Sequence, residues 1–387
     1  MQQMKTATEP AVTILFKNCN QYRVPFFRQL RANLAQKGIE LRLVVGGGLP
    51  EDAAKGDIAA MDWAEERPFR TIKLNGHSLL WQPGFDVARS SDLIITEQAS
   101  KQLFNIALSL GQTPLGTRHA FWGHGRNFQS SIEGSAGEGL KRMLTKRAHW
   151  FFAYNDLSAQ AAIEFGMDPN RITRVMNSTD TSHMRDVRTS LPANAREIVR
   201  TELGIEPGPV ALYLGGIYAH KRPGFLIESA IEIRKQIPNF SLVVIGSGSD
   251  VGLVERAAAQ HPWIHHLGAR YGDERIRLAS VADLQLMPGL VGLNVVDGFA
   301  LGLPTVTTDI DWHSPEIEYL RDGINGLITP AGATPEDYAT AVSSLLTNPD
   351  RLRQMQTAAE LSGREYSIED MAQRFADGIV QALLIDS

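Results

Sequence analysis

A single cysteine, Cys19, stands among 387 residues. One thiol cannot close an intrachain disulfide, so oxidative cross-linking plays no part in the fold, and a reducing cytoplasm suits the chain. A basic excess is missing too: 38 Lys and Arg face 43 Asp and Glu, a formal net charge of −5. General nucleic-acid binding asks for the opposite balance. No run approaches the roughly 20 apolar residues of a membrane-spanning helix. The longest apolar region, 284–307, is broken by Gly, Pro and Asp. The start, MQQMKTATEPAVTILF, has no charged segment leading into a long apolar stretch, so a secretory leader is not expected. H-E-x-x-H, G-x-S-x-G and Walker A patterns are absent, and no metal site or bound cofactor is expected.

What is present is length and alternation. The chain is too long for one ordinary core, and a prior of roughly 150 residues per domain points to two or three. Short β-branched runs alternate with helical patterns throughout, the mark of α/β units with parallel sheets. Strands are expected at Val12–Phe16, Leu41–Val45, Leu93–Thr96, His119–Trp122, Trp150–Ala153 and Arg171–Met176. A polar, proline-bearing stretch near 180–205 separates them from a second series: Val210–Leu214, Ser241–Ile245, His265–Leu267, Leu284–Met287 and Thr305–Thr308. Amphipathic helices are expected at Thr334–Leu346, Pro349–Ser362 and Ile368–Leu384. The reading is two Rossmann-like domains, 1–190 and 191–365, with 366–387 a terminal helix that crosses back to the first. Open parallel sheets take ligands beyond the carboxyl ends of their strands, so two domains facing a central cleft would line it with both sets of loops.

Several strand-end segments carry chemistry. In YLGGIYAHKRP (213–223), Gly215 and Gly216 open the backbone to a ligand, and Lys221 and Arg222 supply charge for phosphate. The bland alternative is a tight turn with solvated cations. Gly246 and Gly248 follow the next strand, but Val251 stands where a dinucleotide fingerprint needs its third glycine, so a plain turn is the simpler reading. The stretch PGLVGLNVVDGFALGLPTVTTD (288–309) places Gly289, Leu290, Val291, Gly292, Leu293 and Asn294 ahead of a short helix bearing Asp297. Free N–H groups at such a helix start can hold a diphosphate, and Asp297 can accept from ribose hydroxyls or merely offset the helix dipole. In FWGHGRN (121–127), His124 lies between two glycines, with Arg126 and Asn127 beside it. Lone histidines are commonly structural, yet small neighbours leave this one accessible. Asn177 and Asp180 in VMNSTDTSHM can close local turns as readily as bind. Lys141, Arg142, Lys146 and Arg147 flank Leu140, Met143 and Leu144 on a cationic amphipathic helix, which fits an anionic membrane surface or a solvated face.

Taken in order, these segments resemble the retaining glycosyltransferases of family 4, which have the GT-B fold. GGIYAHKRP resembles the family's G-R-x-x-x-x-K-G turn, VVIGSGSD its V-x-G-x-G strand and ADLQLMP its A-D-x-x-x-x-P. DGFALGLPTVTTD resembles E-A-x-A-x-G-x-P-V-V-x-T, HSPEIEYLRDGINGLI resembles G-x-x-E-x-V-x-x-G-x-x-G-x-L, and RITRVMNSTD looks like I-x-V-I-x-N-G-V-D. The resemblance implies a nucleotide-diphosphate sugar held by the second domain and a glycan or lipid-linked acceptor held by the first. Lys221 would contact the diphosphate, Asp297 the ribose and Gly289–Asn294 the sugar and phosphates, while His124 would sit near the donor sugar. Asn18, Tyr22, Arg23, Arg126 and Asn127 are the acceptor-side candidates. The implied setting is bacterial polysaccharide or glycolipid assembly, in the cytoplasm or at the inner face of the cell membrane, without a metal.

Three positions depart from the family pattern. Its phosphate-binding arginine is Gly216 here, with Arg222 as a candidate substitute. The second acid of its E-x7-E pair is Asp297, one methylene shorter than Glu. The first is Gly289, which leaves open what recognises the sugar. A non-catalytic nucleotide-sugar-binding protein and a nucleotide-sugar epimerase of GT-B fold are the alternatives to a transferase.

Overall fold

The computed structural model describes residues 9–47, 58–74, 77–99, 101–115, 117–126 and 136–385. The chain forms two compact units, one from Met1–Asn177 with Ile368–Ser387, the other Ser178–Ser367.

The first unit is built on a seven-stranded, all-parallel sheet. Its spatial order is Glu65–Glu66, Glu40–Val45, Ala11–Phe16, Leu93–Glu97, Arg118–Gly123, Trp150–Ala153, Ile172–Arg174. The inner strands bury both faces and are accordingly near-continuous apolar runs. An antiparallel ribbon, Arg70–Leu74 with His77–Trp81, stands outside the sheet. Its two strands, RTIKL and HSLLW, carry charged and polar residues among their apolar ones and so lack the continuous apolar run that marks the parallel strands. The helix Ile368–Leu384 packs against Val24–Ala35, placing Phe375 in a stack on Phe152 at 4.2 Å and edge-on to Phe26 and Trp122.

The second unit is a six-stranded parallel sheet. Its order is Ile264–His266, Ser241–Ile245, Val210–Leu214, Leu284–Met287, Thr305–Thr308, Gly326–Thr329. In chain order that is 3-2-1-4-5-6, the doubly wound arrangement with its switch point between Val210–Leu214 and Leu284–Met287. Helices Pro223–Gln236 and Pro335–Leu346 pack together, as do Asn294–Ala300 and Pro349–Glu365. The capping box at Thr334 and Asp337 starts one of them cleanly.

The junction falls earlier than the expected 190. The helix Thr181–Ser190 packs on Gly272–Ala279, Asn294–Ala300 and Pro349–Glu365 and so belongs to the second unit. Its polar surface hid the few contacts that decide this, Met184 among them, which is buried in that unit's core. The expected strand Arg171–Met176 is shorter, ending at Arg174 before Met176 turns at φ +55°. Among the described residues, no helix is long and apolar enough to cross a membrane.

Candidate active site

The second unit's chemistry gathers at the carboxyl ends of the two strands that flank its switch point. Val210–Leu214 runs into Gly215, whose φ is +142°, and Gly215 N–H donates to Ile245 O at 3.0 Å. A Cβ on Gly246 would collide with the Gly215 carbonyl, so glycine there lets adjacent strand ends press together. Gly216 sits under the Tyr218 ring, which occupies the space a Cβ would take. The Gly216 carbonyl accepts from the buried Tyr213 hydroxyl at 2.6 Å.

The turn Ala219–Lys221 lies directly on Gly289. A Cβ there would come within 2.6 Å of His220 O and 2.5 Å of Lys221 O. Two hydrogen bonds clamp the contact: Leu290 N–H donates to His220 O at 2.9 Å, and Lys221 Nζ donates to Leu290 O at 2.5 Å. Burial lowers Lys221 to a pKa of about 8, against the pull of the buried Glu316 carboxylate, which favours the charged form. Arg222 turns back toward the sheet. Its guanidinium donates to Thr308 Oγ1 at 3.1 Å and Pro288 O at 3.3 Å and lies 4.0 Å from the Phe225 ring centre.

The rest of the loop is held by a histidine that the motif reading passed over. Val291 N–H donates to His313 Nδ1 at 3.0 Å, and His313 Nε2 lies 2.9 Å from Thr308 O. An Nδ1 that accepts carries no proton, so Nε2 is the donor and the ring is neutral. Burial favours that form by lowering its pKa. Gly292 N–H is taken by Asn294 Oδ1 at 2.9 Å. Three of the loop's N–H groups are thus satisfied internally, which corrects the expectation of a bare loop. Among the described residues, none accepts from the N–H groups of Leu293 and Asn294, and Asn294 Nδ2 is buried without a partner.

Asp297 is 8% exposed and has both oxygens engaged. Oδ1 accepts from Thr179 Oγ1 at 2.8 Å, and Oδ2 pairs with Arg275 at 3.2 Å. The sequence reading missed both partners. Thr179 lay in a segment read as a turn, and Arg275 falls in a stretch that carries no motif.

In the first unit, Ala11–Phe16 leads into Asn18, 9% exposed, whose Nδ2 donates to Asn20 at 2.5 Å. Tyr22 is exposed, whereas Arg23 is 2% exposed. The Arg23 guanidinium lies 4.9, 5.0 and 5.9 Å from the ring centres of Tyr22, Trp122 and Tyr154. His124 follows the strand Arg118–Gly123 and meets the Tyr154 ring at 4.2 Å, so the aromatic pair brings His124 and Arg23 together. Burial lowers His124 to a pKa of about 3, with the Lys141 and Arg23 charges acting in the same direction. Arg126 reaches Glu164 at 3.8 Å with its side chain half exposed. Asn127 lies outside the described residues. On the cationic helix Ala136–Arg147, Leu144 is buried in the core beside Phe121 and Phe151, with Leu140 packed against it.

Residues 208–348 match the family described as Glycosyl transferases group 1. Anabaena HepE, solved in complex with UDP, superposes with a TM-score of 0.73 at 14% identity, covering 96% of this chain and 99% of that one. The fold is GT-B. In sequence, the chain is 26% identical over 232 residues to a D-inositol 3-phosphate glycosyltransferase of Rhodococcus erythropolis, spanning 56% of this chain and 49% of that protein. A protein of the same name from Nocardia farcinica is 27% identical over 271 residues, 65% of this chain and 58% of its own length. The chain thus spans about half the length of the curated relatives it matches.

Proposed function

We propose that this GT-B chain is a retaining, metal-independent glycosyltransferase. It moves a sugar from a nucleotide-diphosphate sugar to a hydroxyl of a glycan or glycolipid in bacterial polysaccharide or glycolipid biosynthesis. The observation that carries this reading is Lys221, a buried amine at the switch point of the second unit's sheet that donates to Leu290 O of the same loop in which the Leu293 and Asn294 N–H groups have no acceptor among the described residues. A cation and unpaired N–H groups at that point are what a diphosphate leaving group asks for. The likeness to relatives named as glycosyltransferases supports the same assignment.

In the proposed reaction the bond from the sugar's anomeric carbon to the diphosphate oxygen breaks, its electron pair staying on that oxygen. The acceptor hydroxyl bonds to the same face of the carbon and gives its proton to the departing oxygen. Lys221 and the Leu293 and Asn294 N–H groups stabilise the charge that develops. Gly215, where nothing crowds the Cβ position, lets the nucleotide approach the backbone, and the reading assigns Asp297 to the ribose and His124 to the transferred sugar. Arg222 serves the diphosphate only after leaving Pro288 and Thr308. Asn18, Tyr22, Arg23, Arg126 and Asn127 belong to the acceptor side. Peripheral contact of the first unit with the inner membrane face is part of the reading, and cosedimentation with anionic vesicles tests it.

The deciding experiment incubates the full chain with UDP-, GDP-, ADP- and dTDP-sugars with and without EDTA, and follows the anomeric proton by NMR. Transfer or slow hydrolysis with retained configuration in EDTA is expected. UDP-sugars come first because HepE was solved with UDP. Binding without turnover would favour a non-catalytic binder, and donor interconversion without acceptor would favour an epimerase.

A further inference from the structure

Beside Lys221 and Arg222, the cationic turn of the second unit carries a third basic side chain, His220. Its backbone rests on the donor loop. His220 O accepts from Leu290 N–H at 2.9 Å and would lie 2.6 Å from a Cβ on Gly289. Its ring is set by Tyr218: the two rings stack with centres 5.6 Å apart and planes 17° apart. The residue is exposed, and its ring nitrogens form no hydrogen bond or ion pair among the described residues. In either protonation state an imidazole has an N–H to give.

The Tyr218 ring fills the space that a side chain on residue 216 would enter, since a Cβ built on Gly216 comes within 3.2 Å of three of its ring atoms. The Tyr213 hydroxyl, donating to Gly216 O at 2.6 Å, holds that stretch of backbone in place. Glycine at 216 thus admits the ring on which the imidazole stacks. The other two basic groups of the turn are committed. Arg222 donates to Thr308 Oγ1 and Pro288 O and lies against Phe225, and Lys221 Nζ donates to Leu290 O. A diphosphate presents several anionic oxygens, more than one shared ammonium and the Leu293 and Asn294 N–H groups can serve. Hydrogen bonds to such charged oxygens are the strong ones, so a further N–H beside Lys221 has a use.

We propose that His220 is a diphosphate-binding residue of the donor site, its ring N–H donating to a phosphate oxygen beside Lys221. The Tyr218 stack and the hydrogen bond from Leu290 N–H hold the imidazole ready before the ligand arrives. The role rests on the reading of this site as one for a nucleotide-diphosphate sugar. It joins two glycines to one purpose: Gly216 admits the ring that positions the imidazole, and Gly289 admits the backbone of the turn that carries it.

Isothermal titration of the full chain with UDP, GDP, ADP and dTDP, the matching nucleosides and inorganic pyrophosphate tests it. His220→Ala should weaken the tightest-binding diphosphate and pyrophosphate by at least about tenfold and leave the nucleoside unchanged. His220→Phe keeps a ring for the Tyr218 stack but has no N–H, and should lose as much. His220→Gln keeps a donor and should recover part of the loss. Full diphosphate affinity in His220→Phe overturns the proposal, because the ring then serves the stack alone. An equal loss of nucleoside and diphosphate in His220→Ala overturns it as well. An unaltered chain that binds none of the diphosphates sinks the donor-site reading and this proposal together, whereas diphosphate affinity that ignores residue 220 sinks the proposal alone.

Discussion

The backbone of Lys221 lies where a side chain on residue 289 would go: a Cβ built at Gly289 comes 2.5 Å from the Lys221 carbonyl oxygen. Gly289 is thus the floor on which the cationic turn rests, and the turn's position is tied to glycine. Gly289→Ala should destabilise the protein by about 1–3 kcal/mol, since backbone must move to admit even a methyl group. It should also raise the donor KM by displacing Lys221. Gly289→Glu should do worse on both counts and not restore sugar recognition. Thermal unfolding and donor kinetics of the two variants check this; unchanged values for Gly289→Ala would remove the close-packing explanation.

Lys221 should govern the basic limb of the pH profile. Its ammonium is the form that serves a diphosphate, so kcat/KM should fall as pH rises through about 8. The limb should move upward in kcat, because bound diphosphate favours the charged form. Lys221→Met should lose on the order of 10²–10³ in kcat, a magnitude typical of removing one charge-stabilising group. For stability, the folded pKa lies below the ordinary value of 10.5, so the unfolded chain binds more protons between about 8 and 10.5. Stability should therefore rise with pH across that window. Lys221→Met lacks this share of the rise and keeps that of Lys141, which shifts in the same direction.

His313→Gln should loosen the donor loop. The substitution disturbs the links from Val291 N–H and to Thr308 O, at a cost of about 1–3 kcal/mol for buried groups left unpaired. A higher donor KM is expected, with a smaller change in kcat. Because burial lowers the folded pKa below 6.5, only the unfolded chain takes up the proton as pH falls below that value. Stability is lost on acidification, and the variant should lose less than the parent. Urea midpoints at pH 7.5 and 5.5 measure the difference; His119 and His124, each held near 3 by burial, and His149, His220 and His265, lowered by the same cause, contribute the residual slope in both proteins.

Asp297→Asn keeps the shape and removes the charge that Arg275 faces at 3.2 Å. A loss of about 1–3 kcal/mol is expected from the poorly matched pair, with a raised KM for the nucleotide sugar. Denaturant unfolding and initial rates on the same preparation read the two effects. A normal KM alongside lowered stability would leave Asp297 with a packing role alone.

Much of the second unit was legible along the chain. Val210–Leu214, Ser241–Ile245, Leu284–Met287 and Thr305–Thr308 are strands where apolar β-branched runs placed them, and the glycine pairs at their ends are turns. The helix Ile368–Leu384 was written in the spacing of Met371, Phe375 and Ile379, all buried. The ribbon Arg70–Trp81 and the side of the junction taken by Thr181–Ser190 were not legible. The ribbon's strands lack a continuous apolar run, and the helix's side is decided by its packing on Gly272–Ala279, Asn294–Ala300 and Pro349–Glu365.

The sequence by itself determined the alternation of strand and helix, the order of the glycine turns and the presence of Lys221, Asp297 and His124 in the segments that follow strands. These follow from periodicity and turn preference, which act over a few residues. Tertiary structure alone decided what those groups touch. It packed Lys221 onto Gly289, spent Val291 N–H on His313, 22 residues away, turned Arg222 to Thr308 and closed Asp297 onto Thr179 and Arg275. An N–H group or a carboxylate takes whichever partner folding brings within 3 Å or so, and no local rule names a partner that lies tens of residues along the chain.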